Sequence, residues 1–299
     1  MKNRVIALGF FDGVHSGHAA LLNKAISRAK ELGAQPAVLT FSNHPDVLTG
    51  KAPVSLINTC SERTKLIKKL FGIDDIILWD FDLNLMQLSW QEFLKRTVNE
   101  LGAHHLVAGY DYRFGHKGEG NAERLCEFCR ENRIGSDIID KVVRDGETVS
   151  STVIRKFIQS GDMETAAAFL GHPHYMSGTV RHGVELGRKL GLPTVNLHFS
   201  EDVLIPKFGV YATRVYIDGR AYIGVTNIGV RPTVAETPIP KAETHILDFS
   251  GDVYGAEVET EFFKFLRPEK KFASTDELRG QIEKDILSAR AYFTMLENL

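Results

Sequence analysis

The segment Ala7-Leu8-Gly9-Phe10-Phe11-Asp12-Gly13-Val14-His15-Ser16-Gly17-His18 is the most informative part of the sequence for the fold. It runs from an apolar strand through a glycine-containing turn into an amphipathic helix. The first turn of a helix carries unpaired N–H groups and a partial positive charge, so it favours phosphate. Gly13 and Gly17 permit close approach of the backbone to an anion, and His15 and His18 add hydrogen-bond donors. The segment therefore predicts a binding site for the phosphates of a nucleotide.

The two histidines have an alternative interpretation. Taken singly, His15 or His18 is more typical of a residue that caps or packs a helix. Together, in the pattern H-x-G-H directly after a strand, they resemble the signature of the nucleotidylyltransferase superfamily. Members of that superfamily join a phosphate nucleophile to the α-phosphate of a nucleoside triphosphate.

Length and charge limit the possible classes of protein. The chain has 299 residues, which is enough for two hydrophobic cores. Its 36 Lys and Arg residues nearly balance 38 Asp and Glu residues, which argues against general nucleic-acid binding. The N-terminus leads directly into a strand, and no run of about 18 apolar residues occurs. We therefore expect a cytoplasmic protein that does not bind membranes.

The cysteines indicate neither a disulfide framework nor a metal site. Cys60, Cys126 and Cys129 are too few for a disulfide framework, which fits a reducing compartment. The pair Cys126-x-x-Cys129 lies inside a predicted helix over 121–132, and no second pair completes a four-ligand zinc site. We expect no redox or metal role for this pair.

The first half of the chain alternates apolar strands with amphipathic helices. The predicted buried strands that follow the first one cover 35–41, 75–79, 105–109 and 137–142. Thr59-x-x-Glu62 and Ser89-x-x-Glu92 are capping boxes that open helices between them. This alternation predicts an α/β fold with a doubly wound parallel sheet, whose ligands bind at the carboxyl ends of the strands. His15 and His18 lie at such an end.

Two polar segments, 40–45 and 109–115, also follow predicted strands. Either is compatible with an ordinary loop. Their placement at the same sheet edge favours a pocket whose aromatic rings stack on a heterocycle, with Asp111 near a ribose or a metal. At 150–155, hydroxyls at a helix start are most often plain N-caps, but Arg155 on the first turn adds capacity for phosphate.

The character of the sequence changes at 171–174, where we place the boundary between domains 1–171 and 174–299. Beyond it, strand patterns predominate. The predicted strands cover 176–181, 210–217, 221–226, 243–249 and 257–265. They predict a small antiparallel β-barrel. A final helix over 276–296 would cover the barrel with four apolar side chains, which are Leu278, Ile282, Ile286 and Leu287.

The second half also contains glycine-spaced loops at 178–183 and 187–196. They match neither a Walker motif nor a dinucleotide-binding fingerprint, so they suggest another kind of phosphate cradle. Glycines at barrel corners and a turn at Pro193-Thr194 are an equally good interpretation of their spacing.

Both halves, in order, resemble one family, the bifunctional bacterial riboflavin kinase/FAD synthetases, over nearly the whole chain. The matching segments of the first half are GFFDGVHSGH (9–18), TFSNHP (40–45), GYDYRFG (109–115) and SSTVIR (150–155). Those of the second half are GRKLGLPTVN (187–196), GVYA (209–212), NIGVRPT (227–233) and ETHILDF (243–249). Ordered motifs across two modules are far more specific than any one of them.

The resemblance implies phosphorylation of riboflavin to FMN by ATP, followed by adenylylation of FMN to FAD with release of pyrophosphate. It implies riboflavin, FMN, FAD and ATP as ligands and a divalent cation, Mg²⁺, as cofactor. The implied catalytic residues are His15, His18 and Glu243, and the implied metal ligands are Thr194 and Asn196. The implied flavin-binding residues are Asn43, His44 and Asp111. The implied nucleotide- and phosphate-binding residues are Gly9, Phe11, Gly13, Gly17, Ser151, Thr152, Arg155, Gly183, Gly187 and Arg188.

The chain departs from the family pattern at a few positions. Asn43 replaces a usual proline, and Tyr112 replaces a usual phenylalanine. Leu192 and Val195 replace the usual phenylalanine and alanine around Pro193-Thr194. We expect Asn43 to alter the rigidity of the flavin pocket and Val195 to add bulk near the kinase metal site.

Two other functions stay open at this point. One is an enzyme with a single activity, such as an FMN adenylyltransferase or another H-x-G-H nucleotidylyltransferase, which the kinase segments argue against. The other is a flavin-sensing regulatory protein, which the near-neutral charge and the presence of Glu243 disfavour.

Overall fold

A computed structural model describes residues 3–49, 55–181, 194–200, 202–230, 240–251 and 253–298. The chain divides into two compact units, Met1–Ser151 and Thr152–Leu299. This division falls one residue into the first of the two helices that precede position 171, and the boundary at 171–174 stays a prediction. No helix among the described residues is both long enough and apolar enough to cross a bilayer.

The first unit is built on a five-stranded parallel sheet. Its strands are β1 (Arg4–Leu8), β2 (Gln35–Phe41), β3 (Asp75–Trp79), β4 (Ala103–Gly109) and β5 (Gly135–Ile139). Their spatial order is β3-β2-β1-β4-β5, so β1 is central and pairs in parallel with β2 and β4. This order confirms the predicted doubly wound sheet. β4 and β5 begin two residues before their predicted starts, and β5 ends at Ile139 rather than at 142.

Helices alternate with these strands. They are α1 (Ser16–Leu32), α2 (Asp46–Thr49), α3 (Cys60–Phe71), α4 (Leu83–Gln87), α5 (Trp90–Leu101) and α6 (Ala122–Glu131). A short hairpin follows, with strands β6 (Val143–Arg144) and β7 (Glu147–Thr148). Both predicted capping boxes, at the starts of α3 and α5, are present. Ile6 and Leu8 of β1 pack in an apolar cluster with side chains of α5 and α6. Because successive strand residues alternate between faces, Val5 and Ala7 point to the opposite face of the sheet.

The second unit begins with the helices α7 (Ser151–Ser160) and α8 (Met163–Leu170) and continues as a closed antiparallel barrel. The barrel strands are β8 (His174–Arg181), β9 (Thr194–His198), β10 (Gly209–Ile217), β11 (Arg220–Val230), β12 (Pro240–Ile246) and β13 (Glu257–Arg267). The barrel confirms the predicted fold class. β9 was not among the predicted strands, because the glycines and the proline just before it indicate a loop.

A final helix, α9 (Thr275–Glu297), packs against the outside of the barrel through Ala289 and Phe293. The prediction that Leu287 covers the barrel is wrong, since this side chain is 67% exposed. The same prediction is confirmed for Ile286, which packs against the barrel. Adjacent residues of a helix point about 100° apart, so only one of the two can face the barrel.

The interior of the barrel contains polar side chains as well as apolar ones. The hydroxyl groups of Thr213, Thr226 and Thr244 form a hydrogen-bonded chain with oxygen separations of 2.8 and 2.9 Å. His174 is fully buried, and among the described residues neither of its ring nitrogens has a hydrogen-bond partner. Burial, with a smaller contribution from the charge of His172, lowers the pKa of His174 from 6.5 to about 3. The folded barrel therefore keeps this ring neutral.

We expect His174→Leu to make the second unit less sensitive to acid. Below about pH 6.5 the unfolded chain binds a proton at His174 that the folded chain binds only near pH 3, so the wild type loses stability as the pH falls. The loss is about 1.4 kcal/mol per pH unit, or roughly 2 kcal/mol at pH 5. Calorimetric unfolding at pH 7 and pH 5 measures this difference. An equal pH dependence in wild type, His174→Leu and the surface control His104→Leu would contradict it.

Candidate functional site

The loop between β1 and α1 has an unusual backbone. A 3₁₀ turn over Asp12–Val14 fills it, and Phe11, Gly13 and Val14 have positive φ values of 61°, 80° and 43°. Gly13 adopts this conformation freely, whereas a β-branched residue such as Val14 rarely does. Strain of this kind is found mainly at functional sites, where the surrounding structure maintains it. The loop thus holds a fixed, strained shape at the carboxyl end of the central strand.

His15 is the N-cap of α1. Its Nδ1 atom accepts a hydrogen bond of 3.2 Å from the backbone N–H of His18, so this histidine does cap the helix. The two rings are stacked, with centroids 3.5 Å apart and planes 13° apart. Because Nδ1 acts as an acceptor, the proton of a neutral His15 ring is assigned to Nε2. Capping therefore uses Nδ1 of His15 and leaves its Nε2 atom as the N–H donor of the ring.

His18 lies in the first turn of the same helix. Burial lowers its pKa well below 6.5, and the charges of His15 and Arg63 lower it further. Among the described residues its Nδ1 atom has no hydrogen-bond partner. A neutral imidazole at a helix N-terminus carries one N–H donor, and the helix adds partial positive charge. The site can stabilise phosphate charge without a charged histidine.

Asp12 organises the surrounding loops. Its buried carboxylate accepts hydrogen bonds from the backbone N–H groups of Ile57 and Asn58, at 2.9 and 3.3 Å. Its carbonyl oxygen accepts a 2.9 Å bond from the hydroxyl of Ser151. This bond brings Ser151 to the loop between β1 and α1, residues 9–15, which we call the histidine loop. The predicted phosphate role of Ser151 requires this position.

The other predicted phosphate-binding residues contribute in different ways. The Phe11 ring is fully buried against Gly9, where a Cβ atom would lie 2.9 Å from its Cζ atom. Phe11 therefore supports the loop by packing. Thr152 and Arg155 lie on the first turn of α7, in the second unit, and Thr152 is exposed.

A cavity of about 610 Å³ lies in the first unit. Its lining is mainly aromatic and apolar and includes Phe41, Pro45, Phe81, Leu85, Met86, Phe93, Tyr112, Arg113, Phe114, Gly115, Lys117 and Gly118. The two polar segments predicted to meet, 40–45 and 109–115, both contribute to this lining. Burial raises the pKa of Tyr112, so its phenol stays protonated. The cavity can enclose a flat ring system, with two cationic side chains for an anionic group.

The predicted flavin-binding residues differ in their placement. The side-chain amide of Asn43 donates to the carbonyl of Phe81 at 2.9 Å and accepts from its N–H at 2.8 Å. Asn43 therefore anchors a residue of the cavity wall. Nδ1 of His44 accepts a 3.1 Å bond from the N–H of Asp46, and its ring meets the Phe10 ring edge-on. Asp111 is exposed beside Gly109.

Arg63, on the first turn of α3, is not among the predicted site residues. Its side chain is completely buried, next to the histidine loop. Burial lowers the pKa of its guanidinium, against the raising effect of Cys60 and Asp12. Its position directly after the capping-box residue Glu62, on the face that carries Leu66 and Ile67, is a signal of burial. A charged residue is normally assigned to the surface, and for that reason it was missed.

A second site lies on the outer face of the barrel. Pairing of β12 with β9 places Glu243 opposite Asn196 and His245 opposite Thr194. A cavity of about 250 Å³ on this face is lined by Thr194, Val210, Val225, Asn227, Glu243, His245, Arg267, Glu269, Lys270, Phe272, Leu278, Ile282 and Asp285. The structure thus brings Glu243 and Thr194 to one cavity and places Asn196 on the same face.

The neighbouring residues define this second cavity further. Val195 pairs with Thr244 and alternates to the opposite face of β9, so its bulk points away from the side that carries Thr194. Arg267 binds both carboxylate oxygens of Asp285 at 2.8–3.0 Å, which fixes α9 against β13 at the cavity. Gly183, Gly187 and Arg188 lie outside the described residues.

The oxygen atoms of the second site fit a magnesium ion that is bound mainly by the phosphates of a substrate. No group of three or more His, Cys, Asp or Glu residues with metal-binding geometry occurs in the described part of the chain. Thr194 and Asn196 offer a hydroxyl and an amide oxygen on one strand face, beside the Glu243 carboxylate. Mg²⁺ prefers oxygen ligands and usually binds proteins through few side chains plus water and substrate phosphates. These residues fit that kind of ion.

Comparison with known proteins assigns the two units. A family model for FAD synthetase matches residues 1–153, and one for riboflavin kinase matches residues 170–293. A solved Streptococcus pneumoniae structure, described as a macrolide-efflux protein, is 31% identical and superposes with a TM-score of 0.87. That similarity covers 97% of this chain and 94% of the other.

Curated relatives match over nearly their full length. The bifunctional riboflavin kinase/FMN adenylyltransferase of Listeria monocytogenes is 39% identical, over 99% of this chain and 94% of the relative. The Bacillus subtilis protein of the same name is 36% identical, over 98% of this chain and 93% of the relative. Because the two family models together match most of the chain and these relatives match nearly all of it, the chain belongs to the family of bifunctional riboflavin kinase/FMN adenylyltransferases.

Proposed function

We propose that this chain makes FAD from riboflavin in two steps, each in its own unit. The barrel unit transfers the γ-phosphoryl group of ATP to riboflavin, which gives FMN and ADP. The parallel-sheet unit transfers the adenylyl group of a second ATP to FMN, which gives FAD and pyrophosphate. The observation that carries this proposal is the presence of both sites in one chain, each in the unit that its family model matches.

In the proposed adenylyl transfer, an oxygen of the FMN phosphate attacks the α-phosphorus of ATP, and pyrophosphate leaves with the electron pair of the broken bond. The FMN phosphate is already a nucleophile, so the site needs to position two anions and neutralise developing charge. His15 and His18 supply N–H donors at the N-terminus of α1. Ser151, which donates to the carbonyl of Asp12, is proposed to add a contact to the phosphates of ATP, and the phosphate roles of Thr152 and Arg155 stay predictions.

The aromatic cavity of the first unit is the proposed binding place of the FMN ring system. Its side chains offer faces and edges for a flat heterocycle. Arg113 and Lys117 in its lining attract an anionic ligand in preference to neutral riboflavin. We propose that Asn43 contributes through the position of Phe81, and that His44 and Asp111 contact the ligand directly.

In the proposed phosphorylation, the nucleophile is a neutral hydroxyl of the ribityl chain. Glu243 accepts the proton of this hydroxyl as the oxygen attacks the γ-phosphorus of ATP, and ADP leaves. Thr194 and Asn196 would hold Mg²⁺, which when bound neutralises phosphate charge. Because both steps consume ATP and the three cysteines are free, the proposed location is the cytoplasm.

A single assay of the full chain tests this function. Purified protein is incubated with riboflavin, ATP and Mg²⁺, and flavins are separated over time. We expect FMN to form first with one ADP, and FAD to follow with one pyrophosphate. FAD from supplied FMN without FMN from riboflavin would indicate an adenylyltransferase alone. Flavin binding without either product would indicate a flavin-sensing protein.

Gly17→Ala is expected to impair adenylyl transfer selectively. A Cβ atom at position 17 would lie 3.0 Å from Cε1 and 3.1 Å from Nδ1 of His15, so the ring must shift. A displacement of about 1 Å in a positioning group can cost up to about 10²-fold in rate, and the shift required here is smaller than that. We expect FAD formation from FMN to fall about 10-fold, with riboflavin phosphorylation unchanged. Gly280→Ala, in helix α9 with open space around it, is the control. Equal rates for the two variants would contradict the prediction.

A further inference from the structure

Arg63 connects the two strand ends that border the histidine loop. Its Nη2 atom donates a 2.5 Å hydrogen bond to the carbonyl oxygen of Phe41, the last residue of β2. Its guanidinium carbon lies 4.1 Å from the centroid of the Phe10 ring, just after β1. This is the contact distance of a cation–π interaction. One side chain from α3 therefore fixes the carboxyl ends of both strands.

Part of the hydrogen-bonding capacity of Arg63 is unused inside the protein. Cys60, on the same helix, interacts with the guanidinium. Among the described residues, neither Nε nor Nη1 has a hydrogen-bond partner of standard geometry, although the side chain is 0% exposed. A buried charge that is incompletely paired costs stability, and an apolar side chain of similar volume would pack at least as well. Packing alone does not account for a guanidinium here.

The charge of Arg63 acts on the adenylyl-transfer site. The charged or titratable groups with a resolved effect on Arg63 are Cys60, on the same helix, and Asp12, in the histidine loop. Those with a resolved effect on His18 are His15 and Arg63 itself. The charge of Arg63 thus lowers the pKa of His18 and opposes the addition of a proton to its ring.

We propose that Arg63 is a positioning residue for adenylyl transfer, which clamps the ends of β1 and β2 and places a fixed positive charge next to the loop that precedes His18. The proposal rests on the function proposed above. His18 then meets the phosphates as a neutral donor, and the permanent cation, which needs no proton from solvent, supplies the positive field. During the reaction the new bond joins FMN phosphate oxygen to the α-phosphorus, and pyrophosphate departs, while Arg63 forms no bond to either.

The first test measures the effect of the Arg63 charge on the titration of His18, in protein without substrate. Full-length protein with ¹³C-labelled histidine is titrated by NMR, and the His18 signal is identified by its loss in His18→Gln. In Arg63→Met, we expect His18 to take up a proton at higher pH than in the wild type. Arg63→Lys keeps the charge, so its His18 should titrate as in the wild type. An unchanged His18 titration in Arg63→Met would overturn the proposal.

The clamp is tested by kinetics of FAD formation from FMN and ATP. We expect Arg63→Met to lower kcat by about 10²-fold with a smaller effect on KM for FMN, because Arg63 does not contact the substrate. The matched control is Arg4→Met, which removes another largely buried arginine, bound to Asp75 at the amino ends of the strands. A kcat for Arg63→Met equal to that of the control would overturn the proposal.

Two further arms keep the test decisive. If Arg63→Met does not fold, Arg63→Gln replaces it. Its side chain is neutral, so the expected and overturning results of the titration are the same. Because its amide can still donate to Phe41, we expect a smaller loss of kcat, and a kcat equal to that of Arg4→Met would again overturn the proposal. Riboflavin phosphorylation by the same samples is expected to be unchanged. A wild-type protein that makes no FAD from FMN would refute the proposed function, whereas a wild type that makes FAD alongside an equally active Arg63→Met would refute only the role of Arg63.

Discussion

His18→Ala is expected to lower the rate of FAD formation from FMN by about 10²–10³-fold and to leave riboflavin phosphorylation intact. Removal of one donor at a position where charge develops typically has an effect of this size. His18 lies at the N-terminus of α1, stacked on His15, with a buried Nδ1 that has no partner among the described residues. The measurement is the steady-state rate of pyrophosphate release with FMN and ATP.

Two comparisons separate a phosphate role of His18 from a role in helix packing. His104→Ala, an exposed histidine of the same unit, should retain the wild-type rate. A packing role would lower the thermal stability of His18→Ala but leave the rate of the folded protein within a few-fold of wild type. That second result would contradict the predicted role in phosphate stabilisation.

Glu243→Gln is expected to stop the production of FMN, with a loss of about 10²–10⁴-fold, the range usual for a general base. The variant should still convert supplied FMN to FAD. The amide keeps the shape of the side chain but accepts no proton from the ribityl hydroxyl. Glu243 lines the barrel cavity and lies opposite Asn196, so no large rearrangement is required for this role. Separation of flavins after incubation with riboflavin and ATP measures the effect.

The control for Glu243 is Glu257→Gln, an exposed glutamate on β13 that does not line the cavity. It should make FMN at the wild-type rate. Thr194→Ala should instead raise the concentration of Mg²⁺ and ATP needed for the kinase step. Normal FMN production by Glu243→Gln would show that the carboxylate is structural and that the base lies elsewhere.

Most of the fold could be predicted from the sequence, because the apolar residues of buried strands and helices recur at regular spacings. The apolar runs at 35–41 and 75–79 coincide with β2 and β3. The capping boxes at Thr59 and Ser89 mark the starts of α3 and α5, since a cap depends only on neighbours three residues away. Local signals of this kind can be read without knowledge of the tertiary structure.

Features that depend on distant partners could not be predicted. The amide of Asn43 pairs with the backbone of Phe81, 38 residues away, and nothing in either local sequence indicates this pairing. The burial of Arg63 likewise depends on the ends of two strands. Leu287 was misassigned because an apolar pair on a helix does not show which of its members faces inward.

The threonine chain inside the barrel has a consequence for the chemistry on its outside. Thr226 lies opposite Thr244, and the residue next to Thr244, on the other face of β12, is Glu243. A shift of this strand by one residue would exchange its two faces and carry the carboxylate into the interior. Such a slip would also break the bond between the hydroxyls of Thr226 and Thr244. The interior hydroxyls therefore help to set the register of β12, and the proposed base Glu243, on the other face of the strand, depends on that register for its position.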